Sequence, residues 1–144
     1  MVSRSLRWDW FRERRGYGVI FLRLLIGWFI IWGVQDNILS HARMVEFERF
    51  LSAHGTPWPS FSARLSVYAQ LICGLSILLG AFVRPLSIVF IINFICAILI
   101  AHRGQTFQQM FPALMMIAAG LFFLFNGAGK FSIDELLERR RTDP

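Results

Sequence analysis

The sequence predicts an all-α integral membrane protein, a bundle of four transmembrane helices with short amphipathic helices at the membrane surface. Four apolar stretches lie at about residues 17–39, 63–82, 85–101 and 107–126, each close to the roughly 20 residues that a helix needs to cross the hydrocarbon layer. Hydrophobic residues make up 56% of the chain and charged residues only 17%. A soluble helical domain would need more polar surface, and irregular backbone cannot face lipid. We therefore expect one domain, residues 1–144, built from helices that span the bilayer.

The basic residues predict how the bundle is oriented. If both termini are cytoplasmic, the arginines and lysines outside the spans divide ten to four in favour of the inner side. This imbalance favours both termini inside. The net charge of +6 then reflects topology and contact with membrane lipid. A nucleic-acid partner is disfavoured, because the cations flank spans at both ends of the chain instead of gathering on one face.

Three shorter segments have amphipathic composition. Residues 1–16 mix arginines with tryptophan and leucine, which is typical of a helix in the headgroup layer, although a disordered basic tail is the alternative. Residues 42–53 predict an amphipathic helix on the outer surface. Ser132 and Glu135 have capping-box spacing, so a short surface helix is expected at 132–141.

Polar residues inside the spans are the candidates for function, because each is costly in hydrocarbon. Arg23 is shallow enough to extend toward the headgroups, and the alternative is a ligand or ion-pair role. It shares a helical stripe with Gly27 and Asn37, so this stripe should face the bundle. Asn93, near the middle of its span, should bond across to another helix. We expect Arg23, Asn37, Gln70, Asn93 and Gln109 to face the interior.

A larger group of polar residues is expected at the outer ends of the spans. We predict that it borders an outward-opening pocket for a quinone headgroup or a small polar substrate, with amides as hydrogen-bond donors. The alternative is that these side chains only meet interfacial water. Asp36 and His102 are the titratable members. The group consists of Gln35, Asp36, Asn37, Gln70, His102, Gln108 and Gln109.

Both cysteines, Cys73 and Cys96, lie inside spans, at depths that would let them meet across adjacent antiparallel helices. They are therefore redox candidates. The competing interpretation is that each is a small apolar packing residue, since no CxxC spacing is present and a buried thiol resists ionisation.

Three segments, in order, carry a resemblance to a known family. They are Arg23–Trp28 (RLLIGW), Gly74–Arg84 (GLSILLGAFVR) and Asn126–Asp134 (NGAGKFSID). Together they resemble the DoxX family of small four-helix bacterial membrane proteins, over roughly residues 17–137. This resemblance implies that the protein lies in the bacterial inner membrane. The family includes relatives of the membrane subunit of thiosulfate:quinone oxidoreductase, and some members are associated with membrane oxidoreductase assemblies. Gln70 and Gln109 stand near positions where the family often has acidic residues.

Two kinds of function follow. The resemblance implies a membrane subunit of an oxidoreductase system that binds quinone or a redox partner. The sequence has no self-contained catalytic constellation, no metal-ligand spacing and no intrinsic cofactor motif, so whether the chain is an enzyme stays open. This favours the alternative, a non-enzymatic assembly partner or small-solute carrier. These interpretations predict one of three partners: another membrane protein, a redox enzyme or a second copy of the chain.

Overall fold

The computed structural model describes residues 14–101 and 104–142. Within these ranges the chain is helical, with six helices and no strand. The helices are α1 (Arg15–Leu39), α2 (His41–Ala53), α3 (Pro59–Leu79), α4 (Val83–Ala101), α5 (Phe107–Asn126) and α6 (Ile133–Thr142). Four of them, at Gly16–Leu39, Pro59–Leu79, Val83–Ala101 and Phe107–Asn126, are long and apolar enough to cross a membrane. The predicted fold class, an all-α membrane bundle with four spanning helices, is confirmed.

Local chemistry accounts for where the spanning helices begin and end. α3 begins at Pro59, four residues before the apolar stretch, because proline suits the first turn of a helix. It ends at Leu79 because Gly80 adopts φ +72°, a left-handed conformation that stops a helix. α5 begins with a capping box in which Thr106 and Gln109 bond to each other's backbone N–H groups.

The chain runs up and down between two ends of the bundle. The end with the α3–α4 turn, residues 126–134 and α6 is called the motif end here. The other is the α2 end, where α1 and α4 finish and α3 and α5 begin. α1 packs mainly on α3, α5 on α4, and α3 on α4, while α2 packs on α3 and α1. The predicted segment 1–16 lies mostly outside the described residues.

Among the described residues, two buried clusters form the core. The first fills the bundle toward the motif end, around Phe90 and Phe123, which are fully buried. The second joins α1, α2 and α3 at the α2 end, through Val34, Met44 and Ala63. Glycines let the helices approach closely: a Cβ built on Gly27 would lie 3.0 Å from the Gly74 carbonyl oxygen.

Large apolar side chains cover the outside of the bundle. Between 17% and 33% of each spanning window is buried, although the windows are strongly apolar. Phe21, Trp28 and Leu25 of α1 are all more than 60% exposed. A water-soluble protein rarely exposes an apolar surface of this extent, so this surface is suited to contact lipid.

Candidate functional site

Arg23 is buried inside the bundle, with 4% of its surface exposed. Its Nε donates to the Ile77 oxygen at 2.9 Å and its Nη2 to the Leu78 oxygen at 3.2 Å. Its Nη1 donates to the Ala128 oxygen at 3.1 Å and, more weakly, to the oxygens of Phe131 and Lys130 at 3.4 and 3.5 Å. Carbonyls at the end of a helix lack partners within the helix, and a guanidinium can bind several of them at once. Arg23 is therefore satisfied by backbone carbonyls, and within the described residues it makes no ion pair with a carboxylate.

Asp134 binds the other side of the α3–α4 turn. Its carboxylate accepts from the N–H groups of Phe82 at 2.7 Å and Val83 at 3.1 Å, which are unpaired donors at the start of α4. Its own N–H donates to the Gly80 oxygen at 2.9 Å. A carboxylate at a helix N-terminus also interacts favourably with the helix dipole.

The first turn of α6 is fixed by Ser132 and Glu135, whose bonds resemble a capping box except that Glu135 binds the N–H of Phe131 instead of that of Ser132. Ser132 Oγ accepts from the Glu135 N–H at 3.1 Å and donates to the Gly129 oxygen at 2.6 Å. The Glu135 carboxylate accepts from the Phe131 N–H at 2.8 Å and from Arg139 at 2.7 Å. These bonds, first of all the one from Arg139, lower the pKa of Glu135 below its ordinary value. The segments Arg23–Trp28, Gly74–Arg84 and Asn126–Asp134 thus meet in one hydrogen-bonded junction at the motif end.

One candidate ligand site is a groove between α3 and α4, closed at the α2 end by α2. We call it the α3–α4 groove; its volume is about 480 Å³, within the range of small-molecule sites. Apolar side chains such as Leu65, Val89 and Ile100 form most of its wall. Its polar lining residues are Thr56, Ser62, Ser66, Gln70, Asn93 and Cys96.

A chain of hydrogen bonds crosses this groove from α3 to α4. Gln70 Nε2 donates to Ser66 Oγ at 3.2 Å, and Ser66 Oγ donates to Asn93 Oδ1 at 2.9 Å. The chain ends at Asn93 Nδ2, a buried donor with no partner among the described residues. Thr56 Oγ1 lines the same groove and is also buried without a partner. Buried polar atoms in proteins are nearly always paired, so two unpaired atoms in one groove suit a site that accepts a polar ligand.

A comparison with protein families covers α3 and α4, which line the groove, and also α1. The DoxX family model matches residues 18–103, more than half of the chain. The chain belongs to the DoxX family. It is also similar to the uncharacterized membrane protein Rv3486 of Mycobacterium tuberculosis, with 29% identity over 140 residues that cover 86% of this chain and 83% of that protein. No solved structure matches the chain significantly.

In this DoxX protein, the polar residues expected to converge at one depth are divided among several places. Gln70 lies at the groove and is linked to Asn93 through Ser66. Asn93 is partly buried and bonds across to α3, as expected of a mid-span asparagine. Asp36 and Asn37 lie instead in a shallow pocket between α1 and α2, where Asn37 Nδ2 donates to the Arg43 oxygen at 3.3 Å. They do not line the groove, whose lining residues come from α2, the α2–α3 loop, α3 and α4.

The expectation that Gln109 faces the interior is wrong. Its side chain is exposed, and its Oε1 accepts from the Thr106 N–H at 3.0 Å, so the residue caps α5 instead of lining a pocket. Gln108 is exposed as well. His102 lies outside the described residues.

The two cysteines lie in different surroundings, and both are free thiols. Cys73 is buried in the core cluster at the motif end, and its Sγ lies 3.4 Å from the Leu86 oxygen as a donor. Cys96 is exposed and lines the α3–α4 groove. Cys73 therefore has the surroundings of a packing residue, while Cys96 is accessible to a molecule in the groove.

Sequence reasoning missed Ser66, the central member of the polar chain. A signal existed, since Ser66 and Gln70 are four residues apart and must share a face of α3. Serine is common in membrane helices, where it bonds to its own backbone, so it did not stand out. Among the described residues, no cluster of histidine, cysteine, aspartate and glutamate could hold a metal ion.

Proposed function

We propose that this DoxX protein binds a quinone through a ring carbonyl in the α3–α4 groove, and that it does so as the membrane subunit of an oxidoreductase system. The observation that carries this proposal is the buried Asn93 Nδ2, which has no partner among the described residues. An amide N–H buried without an acceptor costs about 1–3 kcal/mol, and a ligand carbonyl in the groove would remove that cost.

The direction of the hydrogen bonds supports a carbonyl ligand over a hydroxyl ligand. Because Asn93 Oδ1 accepts from Ser66, the group that Asn93 offers to a ligand is its N–H₂ donor. The oxidised ring of a quinone presents carbonyl acceptors, whereas the hydroxyl oxygens of the reduced ring are weaker acceptors and each also carries a donor. We therefore expect the groove to prefer the oxidised form.

The remaining lining suits a ligand that is mostly apolar and carries one polar group, such as the ring of a quinone with its carbonyl. Apart from its few polar groups, the groove is walled by aliphatic and aromatic side chains, including Phe50 and Leu51 of α2. Ser66 and Asn93 each lie about two turns from the α2 end of their helices, on the order of 10 Å deep. A carbonyl at this depth would leave the ring and its tail among apolar neighbours.

The residues at the groove suit binding better than proton transfer. Its lining includes no aspartate, glutamate, histidine, lysine or arginine, and Cys96 is its one titratable side chain among the described residues. Reduction of a quinone to a quinol requires two protons as well as two electrons. In our proposal this chain holds the quinone, and a partner enzyme delivers electrons and protons.

Binding of a short-tailed benzoquinone to the full-length protein in detergent tests the proposal. We expect Asn93→Leu to weaken binding of the oxidised quinone by about tenfold or more, because one neutral hydrogen bond and its desolvation are worth roughly this factor. Gln70→Leu should weaken it less, since Gln70 reaches the ligand only through Ser66. The matched control is Gln108→Leu, the same chemical change at an exposed position outside the groove.

Unchanged binding in Asn93→Leu would refute the proposal, provided the control also binds normally. Equal affinity for quinone and quinol would refute the carbonyl assignment. Asn93→Leu and the control Gln108→Leu should both unfold at the same midpoint as the unliganded native protein. In Asn93→Leu the lost bond to Ser66 is offset, because the unpaired donor is removed as well.

A non-enzymatic assembly role is the second candidate. The observation that favours it is the aromatic face of α2, where Phe47 and Phe50 stack with ring centres 6.4 Å apart and Phe50 is 41% exposed. This face could receive a membrane partner. Here Phe50→Ala should reduce co-purification of the partner, while Asn93→Leu should not.

A further inference from the structure

A second cavity, of about 800 Å³, opens at the motif end between the α3–α4 turn, the loop after α5, and α6. It is separate from the α3–α4 groove and has a different lining. Its charged residues are Arg84, Lys130, Asp134, Glu135, Glu138, Arg140 and Arg141. We refer to it as the basic cavity.

Two of the three carboxylates of the basic cavity are bound by named groups, whereas its three arginines have no carboxylate partner among the described residues. Asp134 is bound to the N–H groups at the start of α4, and Glu135 is bound to Arg139 and the Phe131 N–H. Arg84, Arg140 and Arg141 are exposed, and none makes an ion pair with another described residue. An anion entering the cavity would therefore meet three guanidinium groups that lack a carboxylate partner.

The loop after α5, which lines the same cavity, has unpaired backbone donors. The N–H groups of Ala128, Gly129 and Lys130 have no hydrogen-bond partner within the ranges that the structure describes. Gly127 and Gly129 both have positive φ, +70° and +69°, and carry no side chain that would cover the backbone. Consecutive free N–H groups beside arginines are a common arrangement for binding phosphate oxygens.

The position of the basic cavity indicates which phosphate it would meet. α3 ends, α4 begins and α5 ends beside it, so it lies where three candidate spans leave the hydrocarbon layer. Lipid phosphates lie at this boundary. Phe82 and Leu137 line the cavity and are 64% and 48% exposed, which leaves apolar surface beside the charges for acyl chains.

We propose that the basic cavity is a binding site for the phosphodiester headgroup of an anionic phospholipid. In this site Arg84 of α4 and Arg140 and Arg141 of α6 bind the phosphate oxygens together. A net negative headgroup is favoured over a zwitterionic one, because a choline would bring a cation next to these arginines. Bound lipid would also hold α6 against the α3–α4 turn.

The test measures binding of phosphatidylglycerol to the purified full-length protein in detergent by native mass spectrometry. The variant Arg84→Gln with Arg140→Gln removes two charges from the cavity. Each basic residue near an anionic lipid raises the binding affinity by a factor of about five. We therefore expect this variant to bind phosphatidylglycerol about 25-fold more weakly than the native protein. The control Arg43→Gln with Arg49→Gln removes the same charge from α2, at the opposite end, and should stay within about twofold.

Further measurements distinguish a lipid phosphate from a soluble phosphate and check that the variants fold. The variant Arg84→Lys with Arg140→Lys keeps both charges and should retain most of the affinity. Phosphatidylcholine should bind much more weakly, and millimolar glycerophosphate or inorganic phosphate should not displace phosphatidylglycerol. Equal losses in the two glutamine variants, a loss in the lysine variant as large as in the glutamine variant, or displacement by soluble phosphate would each overturn the proposal.

Discussion

Arg23 and Asp134 bind opposite sides of the same turn. The guanidinium of Arg23 binds the carbonyls of Ile77 and Leu78, where α3 ends, and the carboxylate of Asp134 binds the N–H groups of Phe82 and Val83, where α4 begins. The two side chains also attract each other electrostatically. A cation near a helix C-terminus and an anion near a helix N-terminus are the favourable arrangement for both helix dipoles. The three segments that carry the family resemblance thereby hold one junction in place.

The first prediction concerns Arg23. We expect Arg23→Ala to lower the free energy of unfolding by about 3 kcal/mol or more, because buried carbonyls at the end of α3 and in residues 128–131 lose a charged donor. Arg23→Lys should lose less, since an ammonium keeps the charge but cannot reach both groups of carbonyls in one geometry. SDS titration of the protein in mixed micelles measures the change. Arg49→Ala, at an exposed position on α2, is the control and should be nearly neutral. A loss of similar size in this control would contradict the assignment.

The second prediction concerns Gly80. Its φ of +72° is costly for any residue with a Cβ, and a Cβ there would overlap the Arg23 guanidinium and the Ser132 side chain. Gly80→Ala should therefore destabilise the protein by about 2 kcal/mol or more. Gly33→Ala is the matched control, because Gly33 is inside α1 and a Cβ there meets nothing within 4 Å. That change should be neutral or stabilising by up to about 1 kcal/mol. If both variants lose stability equally in the same titration, the junction does not depend on close packing at Gly80.

The sequence predicted the bundle well because the length of an apolar stretch directly reflects the thickness of the bilayer. It could not predict the role of Arg23, since the carbonyls that Arg23 binds are separated from it by 54 to 108 positions along the chain. A hydropathy pattern shows that placing Arg23 in lipid would cost free energy. It does not show which groups accept the hydrogen bonds of Arg23.

The candidate site was predictable only in part, for a similar reason. Depth along each span can be counted from the sequence, and it placed Gln70, Gln109 and Asp36 at comparable levels. Depth alone does not say which helices are neighbours. Gln70 faces α4, whereas Gln109 bonds to its own helix end and Asp36 lies beside α2.

The third prediction concerns the two thiols. A membrane-permeant maleimide should label Cys96, which is exposed in the α3–α4 groove, and leave Cys73 unlabelled, because Cys73 is 1% exposed. The variants Cys96→Ser and Cys73→Ser assign the label by mass spectrometry. An added short-tailed benzoquinone should slow the labelling of Cys96 in the native chain but not in Asn93→Leu. Labelling of Cys73 at the same rate as Cys96 would contradict the packing described for α3.

The fourth prediction concerns the pH dependence of α6. The bonds from Arg139 and the Phe131 N–H lower the pKa of Glu135 from its ordinary value of 4.5. A carboxylate with a lowered pKa in the folded state stabilises the fold fully above its unfolded-state pKa, and that contribution is lost as the pH falls through the folded-state pKa. Protease cleavage within α6 should therefore increase below about pH 4 in the native protein. In Glu135→Gln the cleavage should be faster at neutral pH and less sensitive to acid, and an unchanged acid response would exclude Glu135 as the group responsible.

The fifth prediction concerns orientation in the membrane. The structure gathers Arg84, Lys130 and the arginines of α6 at the motif end, whereas Arg43, Arg49 and Arg64 lie at the α2 end. Arg43 and Arg64 are moreover paired with Glu46 and Glu48, at 3.0 Å in each case. Because basic residues are retained on the cytoplasmic side, we expect the motif end to be cytoplasmic. A phosphatase reporter fused after Arg141 should be inactive and one inserted near His54 active, with a fluorescent reporter giving the opposite pattern. The reverse result would place the basic cavity, and the lipid headgroup that we assign to it, on the outer face of the membrane.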